Sequence, residues 1–238
     1  MISVVVPVKN EEQNIEPLVT EIVQASGPDA PITEIIYVDD GSDDKTHDVL
    51  SKLRATYPQL RIIKHSRSCG QSAALWTGIQ AAGNDVIVTL DGDGQNNPAD
   101  IRKLVSVYNA ALLDKTAGRV LVAGQRENLI RILSSRIANT IRCAMLQDGT
   151  RDTGCSLKLF RRKDYLLLPY FNHMHRYIPA LMAREGVAVR HIDVSHRPRE
   201  RGVSKYGTID RLIAGLSDLL GVRWLLNRAR PIVTITED

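Results

Sequence analysis

The feature that most constrains the fold is an alternation of short apolar runs with longer amphipathic stretches in the first half of this 238-residue chain. Strands that are almost continuously apolar, with helices between them, predict a parallel sheet covered on both faces. Four runs rich in Val and Ile have the length of strands, namely ISVVVPV (2–8), EIIYVD (34–39), LRIIKH (60–65) and DVIVTLD (85–91). Helical patterns lie at roughly 12–26, 44–56, 71–82 and 98–113.

Local start signals agree with these helices. Asn10 stands before Glu11, Ser42 stands before Asp43, and Pro98 occupies a first helical position. We therefore expect each helix to begin close to the end of the preceding strand.

The second half of the chain is less regular. It predicts three strands, RVLVAGQR (119–126), CSLKLFRR (155–162) and VAVRHIDV (187–194), and three helices, 128–147, 173–185 and 207–227. The last helix carries an apolar stripe of Ile209, Leu212, Ile213, Leu216, Leu219, Leu220 and Trp224. Such a stripe packs on the protein's own core or on a dimer partner, or it lies in a membrane interface, and the sequence leaves these alternatives open. We expect a domain at 1–206 and a helical extension at 207–238.

Composition argues against several classes of protein. Cys69, Cys143 and Cys155 are far apart and lack CxxC spacing, which indicates reduced thiols in a cytoplasmic protein. The N-terminus MISVVVPVKNEE lacks the basic region of a signal peptide, and no apolar run reaches the roughly 18 residues of a membrane span. We therefore expect a chain that does not cross a bilayer.

Basic residues are concentrated in the C-terminal part of the sequence. The net charge is +4, and eight basic residues face three acids between Arg197 and Arg230. Such a cluster attracts phosphates, nucleic acid or anionic lipid headgroups. Aromatic residues are few and form no platform for stacking bases, so nucleic acid is not an expected partner.

The most specific local motif is TLDGDGQ (89–95), which ends the fourth predicted strand. Asp91 and Asp93 are separated by one residue, and Gln95 adds another oxygen. Oxygen ligands suit Mg²⁺ or Mn²⁺, which also take oxygens from substrate phosphates. Asp-Gly pairs are also common in polar turns, which is the alternative for this motif taken alone.

Acidic residues also follow the first two predicted strands, in PVKNEEQNI (7–15) and YVDDGSDDKT (37–46). Ligands of parallel sheets bind beyond the carboxyl ends of the strands. Glu11 and Asp39 are therefore candidates to accept hydrogen bonds from a base or from ribose hydroxyls. Helix capping is the alternative for Ser42 and Asp43, and paired acids such as Asp39 and Asp40 also occur in receiver domains.

A glycine-centred basic sequence, HRPRERGVSKYG (196–207), completes the set of motifs. Its side chains can surround phosphates, although a solvated loop is the alternative. Arg126, Arg131, Arg136 and Arg142 form a second basic group, which is suited to an anionic acceptor or to an exposed helix face.

Together PVKNEEQNI, VDDGSDDKT, TLDGDGQNNP, DTGCSLKLFRR (152–162) and RPRERGVSKYG resemble the inverting family 2 glycosyltransferases, in particular the dolichyl- or polyprenyl-phosphate branch. The motifs occur in order over most of the chain. The resemblance implies an α/β fold, namely an A-type, Rossmann-like glycosyltransferase domain. Its central sheet would be mostly parallel with helices on both faces, followed by a C-terminal amphipathic helix.

The resemblance also implies roles for individual residues. Donor-binding residues would be Pro7, Glu11, Asp39, Asp91, Gln95, Arg199, Ser204 and Lys205, and metal ligands would be Asp91, Asp93 and Gln95. Arg126 and Arg131 would bind the acceptor phosphate. Asp93, Asp152 and Arg126 would form the catalytic group, with Asp152 in the DTG motif that lines the site.

The expected function is metal-dependent, inverting transfer of a sugar from a UDP- or GDP-sugar to a polyprenyl phosphate. The protein would be cytoplasmic and peripheral to the cytoplasmic face of the membrane. A homo-oligomer or a membrane-protein partner is left open. Transfer to a saccharide hydroxyl, with Asp152 as the base, is the first alternative. A receiver-like, non-enzymatic domain is a remote one, because it does not explain Asp91, Asp93 or the DTG motif.

Overall fold

A computed structural model describes residues 1–114, 118–126, 142–146, 149–198 and 208–228, with side chains in the last segment described from residue 215. The strands are β1 (Ile2–Val8), β2 (Ile32–Asp39), β3 (Leu60–Lys64), β4 (Val86–Thr89), β5 (Val120–Arg126), β6 (Lys158–Arg161) and β7 (Ala188–Val194). The helices are α1 (Ile15–Ala25), α2 (Thr46–Thr56), α3 (Gln71–Ala81), α4 (Ile101–Leu113), α5 (Arg162–Leu166), α6 (Ile178–Arg184) and α7 (Thr208–Leu226).

The strands form one seven-stranded sheet in the order β3-β2-β1-β4-β6-β5-β7. β1, β2, β3 and β4 pair in parallel, and β5 pairs in parallel with β7. β6 lies between β4 and β5 and runs antiparallel to both. The prediction of a mostly parallel sheet is confirmed, with one reversed strand in its middle.

Each face of the sheet carries its own hydrophobic cluster. Val4, Val6 and Val8 of β1 pack with buried residues of α1, α2 and α4, whereas Val5 packs on the opposite side with α3, α5, α6 and α7. This alternation follows from the two-residue period of a strand. Each fully buried aliphatic side chain contributes about 1.5–3 kcal/mol to folding. The prediction of helices on both faces is confirmed.

Two helices begin later than their sequence signals indicate. α1 begins at Ile15 and α2 at Thr46, because Asn10 and Ser42 are engaged in a contact between loops. The backbone N–H of Asn10 donates to Oγ of Ser42 at 2.9 Å, and Asp43 N–H donates to Oδ1 of Asn10 at 3.0 Å. The polar residues that were interpreted as helix caps thus form hydrogen bonds between the two loops instead.

The helix predicted near 173–185 is divided into two pieces. A 3₁₀ turn covers Met174–Arg176, and α6 begins at Ile178. Pro179 accounts for this break, since proline lacks an N–H and fits only the first turn of a helix. His173 has a left-handed backbone conformation with φ of 67°, which sets the turn apart from the preceding chain.

The C-terminal helix is present, and its apolar residues face two environments. Leu219 and Val222 are buried in the cluster that contains α3, whereas Leu216, Leu220 and Trp224 are exposed. A membrane or dimer contact of this exposed part remains a prediction, as does the domain boundary at 206. Among the described helices, none is both long enough and apolar enough to cross a membrane. Of the helix predicted at 128–147, only the helical segment 142–146 lies within the described residues.

Candidate active site

The carboxyl ends of β1, β2 and β4 meet at one edge of the sheet. Val8 and Asp39 are register partners at the ends of β1 and β2, and Asp40 N–H donates to the carbonyl of Val8 at 2.8 Å. Leu90 N–H donates to the carbonyl of Val5, which aligns the end of β4 with the same edge. Pro7 lies buried within this group of strands. The edge therefore brings together the segments that were predicted to bind a donor.

The loops after β1 and β2 hold each other through hydrogen bonds. Glu11 N–H donates to Oγ1 of Thr46 at 2.9 Å, and Lys45 N–H donates to Oε2 of Glu12 at 3.0 Å. The side chain of Asn14 donates to Oε2 of Glu11 at 2.7 Å. The two loops thus form one cross-linked unit, and contact of Glu11 with a nucleotide remains a prediction.

Asp39 is fully buried at the end of β2. Its Oδ1 accepts the N–H of Ser42 at 2.9 Å, and its Oδ2 lies 3.6 Å from Nδ1 of His47. Oδ2 is buried without a hydrogen-bond partner among the described residues. An unsatisfied buried carboxylate oxygen is costly, and a ligand that donates a hydrogen bond to it would relieve this cost. The predicted contact of Asp39 with ribose stays a prediction.

Asp40 has a different role from its neighbour, since it organises the segment that leads into α3. It accepts hydrogen bonds from the Ser68 hydroxyl, from the N–H groups of Cys69 and Gly70, and from a ring nitrogen of His65, all at 2.8 Å. Burial alone would raise the pKa of Asp40, but these hydrogen bonds hold it below its usual value. Asp40 is therefore a structural anchor for one wall of the site.

The acidic motif turns sharply after β4, and its glycines permit this turn. A Cβ at Gly92 would overlap the side chain of Val8, so only glycine fits against the end of β1. Gly94 has φ of 75°, a left-handed conformation that favours glycine. Gln95 N–H donates to Oδ1 of Asp93 at 3.1 Å and closes the turn.

Asp91 lies where the motif meets the N-terminus of α3. The side chain of Gln71 donates to its Oδ1 at 2.7 Å. Burial and the negative charge of Asp93 raise the pKa of Asp91 to about 6. A divalent cation would relieve this repulsion, and two carboxylates with a carboxamide are the oxygen ligands that Mg²⁺ and Mn²⁺ prefer. The residues present therefore fit the predicted divalent metal, and the assignment of Asp91, Asp93 and Gln95 as its ligands remains a prediction.

Arg126 and Asp152 form a bidentate ion pair beside the acidic motif. Nε and Nη2 of Arg126 donate to the two carboxylate oxygens of Asp152 at 2.6 and 2.8 Å. The hydrogen bonds from Arg126 to Asp152 raise the pKa of the guanidinium. A Cβ at Gly154 would lie 2.7 Å from Nη2 of Arg126, so the glycine of the DTG motif leaves room for the guanidinium.

The first residues of the predicted phosphate-binding sequence (196–207) lie next to the acidic motif. His196 forms a β-bridge with Asn96, and Arg197 N–H donates to the carbonyl of Gln95 at 3.0 Å. Ser195 is fixed by Asp100, which accepts both its N–H and its hydroxyl. The predicted site residues Arg131, Arg199, Ser204 and Lys205 lie outside the described residues.

A cavity of about 500 Å³ opens beside Asp91, and it contains side chains that the sequence analysis did not select. Lys158, at the start of β6, is only 3% exposed and lines the cavity. His175 and Arg176 line it from the 3₁₀ turn before α6. A single lysine inside the apolar run LKLF was the available signal for Lys158; no comparable signal marks the other two.

Burial of His175 in the cavity wall makes the free energy of unfolding depend on pH. Burial, together with the positive charges of Arg176 and Lys158, lowers the pKa of His175 to about 3, and its Nδ1 lies 2.8 Å from the hydroxyl of Ser72. Below about pH 6.5 the unfolded chain takes up a proton that the folded protein does not. We expect His175 to cost about 1–2 kcal/mol of unfolding free energy by pH 5, relative to pH 7.5.

Urea unfolding at pH 7.5, 6.0 and 5.0 measures this cost. His175→Gln keeps a hydrogen-bonding group but cannot titrate, so its stability should fall less between pH 7.5 and 5.0 than that of the wild type. Parallel pH profiles for the two proteins would show that His175 does not remain neutral in the folded state.

Solved structures with the same architecture place the fold in a known class. Glucosyl-3-phosphoglycerate synthase from Mycobacterium tuberculosis, in complex with phosphoglyceric acid, aligns with a TM-score of 0.71 and 20% identity, over 97% of this chain and 81% of that chain. A complex of the same synthase with Mn²⁺, UDP and glucosyl-3-phosphoglycerate aligns with a TM-score of 0.69 and 20% identity, over 96% and 80% of the two chains. The fold is therefore that of an A-type glycosyltransferase.

Sequence comparison identifies the family. The sequence profile of Glycosyl transferase family 2 matches residues 3–166, and the chain belongs to this family. Dodecaprenyl-phosphate galacturonate synthase of Rhizobium johnstonii is 37% identical over 97% of this chain and 69% of its own length. Undecaprenyl-phosphate 4-deoxy-4-formamido-L-arabinose transferase of Pectobacterium carotovorum is 35% identical over 92% of this chain and 66% of its own length. The chain thus spans about two thirds of these relatives, and the class of enzyme is a glycosyltransferase.

Proposed function

We propose that this protein transfers a sugar, with inversion, from a nucleotide-sugar donor to a polyprenyl phosphate at the cytoplasmic face of a membrane. The observation that carries the proposal is the pairing of two groups at one edge of the sheet. Asp91 and Asp93 form an acidic pair at the end of β4, and Arg126 lies beside them at the end of β5. The relatives named for polyprenyl phosphates support this acceptor, although they differ in the sugar that they carry.

On the donor side, the chain provides an electrostatic environment for a leaving diphosphate. A divalent cation, when bound, would neutralise the charge that grows on the diphosphate as the glycosidic bond breaks. Asp91, Asp93 and Gln95 would hold that cation, and Arg199 and Lys205 of the basic sequence 196–207 would add positive charge. Gln71 fixes the carboxylate of Asp91 in orientation through its 2.7 Å hydrogen bond.

On the acceptor side, the chemistry requires cations more than it requires a base. A phosphate monoester has a second pKa of about 6, so its oxygen is already anionic near pH 7 and can attack the anomeric carbon directly. Arg126 would position this oxygen on the face opposite to the leaving group, which gives inversion. Both oxygens of Asp152 already accept hydrogen bonds from Arg126, which is the arrangement of a positioning residue rather than of a general base.

The experiment that tests the proposal measures transfer with purified protein and Mn²⁺ or Mg²⁺. Radiolabelled UDP- and GDP-sugars are supplied with a short polyprenyl phosphate, with the matching polyprenyl alcohol, or with saccharides, and Asp93→Ala serves as the inactive control. Metal-dependent product with the phosphate and none with the alcohol is the expected result. Product only with saccharides would transfer the assignment to a hydroxyl acceptor.

The ion pair of Arg126 predicts how acceptor use depends on Asp152. Asp152→Asn removes the charge that orients the guanidinium, and we expect kcat/KM for the polyprenyl phosphate to fall by about 10- to 100-fold, chiefly through KM. Donor affinity, measured by calorimetry, should change little. Asp193→Asn is the matched control, because Asp193 forms an exposed pair with Arg151 at 3.3 Å. A fall in kcat alone, with a shifted pH–rate profile, would instead indicate that Asp152 acts as a base.

A further inference from the structure

The cavity beside Asp91 has an excess of positive charge. It is enclosed by the N-terminus of α3, the end of β4, the start of β6 and the turn before α6. Among its described lining residues, Lys158 and Arg176 are basic, and Asp91 is the one carboxylate. Asp91 acts on Lys158 and is also the proposed ligand of a metal, so this one carboxylate is not sufficient to balance both cations. The cavity therefore presents unbalanced positive charge to whatever occupies it.

The buried ammonium of Lys158 can donate more hydrogen bonds than the described residues accept. Its ammonium donates to the carbonyl of Cys155, which is the one partner recorded for it among the described residues. An ammonium has three donors, and a side chain that is only 3% exposed cannot satisfy the others with bulk water. Burial lowers the pKa of Lys158, whereas the negative charge of Asp91 raises it. A second anion in the cavity would stabilise the charged form.

Arg176 is held at the cavity wall by contacts on both sides of its turn. His175 is 2.8 Å from the hydroxyl of Ser72 in α3, and Nδ1 of His173 is 2.9 Å from Oδ2 of Asp218 in α7. In the part of the chain that the structure describes, no carboxylate pairs with the guanidinium of Arg176. A guanidinium is well suited to a planar carboxylate, which it can bind through two parallel hydrogen bonds.

We propose that this cavity receives the sugar of the donor and selects a sugar that carries a carboxylate, that is, a uronic acid. This inference rests on the proposed function, because it places the donor diphosphate at Asp91 and Asp93, at the mouth of the cavity. The sugar attached to that diphosphate enters the cavity, where Arg176 and Lys158 bind its carboxylate. A volume of about 500 Å³ is sufficient for one sugar ring with its ordered water.

The same two cations would also suit a phosphate, and the geometry favours the carboxylate. In the proposed function Arg126 serves the acceptor phosphate, and the acidic motif with its metal serves the donor phosphates. Arg126 is not among the described residues that line the cavity, whereas Lys158 and Arg176 are. A neutral sugar would bring no negative charge to Arg176 and Lys158, which disfavours neutral donors.

Binding measurements test the inference independently of transfer. The dissociation constants of UDP-galacturonate and UDP-galactose, and of UDP-glucuronate and UDP-glucose, are measured by calorimetry with Mn²⁺, alongside UDP and GDP alone. We expect the acidic member of a pair to bind about 10- to 100-fold more tightly than the neutral member. Arg176→Gln should reduce this ratio at least tenfold, and Lys158→Met should reduce it as well. Arg54→Gln, an exposed arginine of α2, should leave the ratio unchanged.

The outcomes separate this inference from the proposed function. Binding of UDP or GDP without preference for an acidic sugar would overturn the cavity's selectivity and leave the transferase proposal in place. A preference that survives in both Arg176→Gln and Lys158→Met would place the carboxylate elsewhere. An increase in the KM for polyprenyl phosphate, with the sugar ratio unchanged, would assign the two cations to the acceptor. Failure of every nucleotide and nucleotide sugar to bind would overturn the proposed function with it.

Discussion

Replacing Asp93 with alanine is expected to lower the rate of sugar transfer by about 10³-fold or more, because it would remove a proposed ligand of the cation that would stabilise the leaving diphosphate. The fold should remain intact. Removing the charge of Asp93 also removes a cause of the raised pKa of Asp91, so the thermal midpoint should stay the same or increase. The rate is measured with the preferred donor at saturating Mn²⁺, and metal affinity is measured separately by calorimetry.

Asp29→Ala is a suitable control for this variant, since Asp29 is exposed in the turn before β2. It should keep wild-type rate and metal affinity. Wild-type metal affinity in Asp93→Ala would show that Asp93 is not a ligand, and a large drop in its thermal midpoint would show that the loss of rate has a structural cause.

Replacing Asp40 with alanine is expected to have the largest effect on stability. It removes the acceptor of three part-buried hydrogen bonds, from the hydroxyl of Ser68 and from the N–H groups of Cys69 and Gly70, and it opens a cavity behind the N-terminus of α3. An unsatisfied buried donor costs about 1–3 kcal/mol, so for three part-buried donors and the cavity together we expect a loss of about 3–5 kcal/mol in unfolding free energy. Urea unfolding at pH 7.5 measures this loss.

Asp40→Asn provides a graded comparison, because the amide keeps one oxygen acceptor but not the charge. Its loss should lie between those of Asp29→Ala and Asp40→Ala. Stability of Asp40→Ala within about 1 kcal/mol of the wild type would contradict the assignment of Asp40 as an anchor and would return it to the candidates for ligand binding.

Much of the fold follows from apolar patterning, and its exceptions have identifiable causes. The apolar run of β1 predicts a strand buried on both faces, because both sets of alternating residues must be covered. The reversal of β6 could not be predicted, since its residues KLFR give the same basic-apolar-apolar-basic pattern when read in either direction. The late start of α1 depends on a contact of Asn10 with residues more than 30 positions away, which no local signal contains.

The candidate site was predictable where a motif sits at a strand end. Asp91 and Asp93 follow β4 directly, so their location required only the correct strand. The neighbours Asp39 and Asp40 look equivalent in sequence, and their roles differ because alternate residues of a strand point to opposite sides. The four groups that bind Asp40 come from residues 65–70, brought close by the pairing of β2 with β3. Such long-range contacts cannot be predicted from the local pattern of apolar and polar residues.

The reversed strand has a consequence for how such enzymes diversify. β5 leaves the sheet at Arg126, and β6 enters it at Lys158, so both ends of the intervening segment 127–157 are attached to the same edge as the acidic motif. The chain from Thr153 to Ser156 lines the cavity beside Asp91, so the part of the segment that can vary most freely precedes Asp152. Under the proposed function, changes in that part would alter the acceptor while the acidic motif that would hold the donor is left in place.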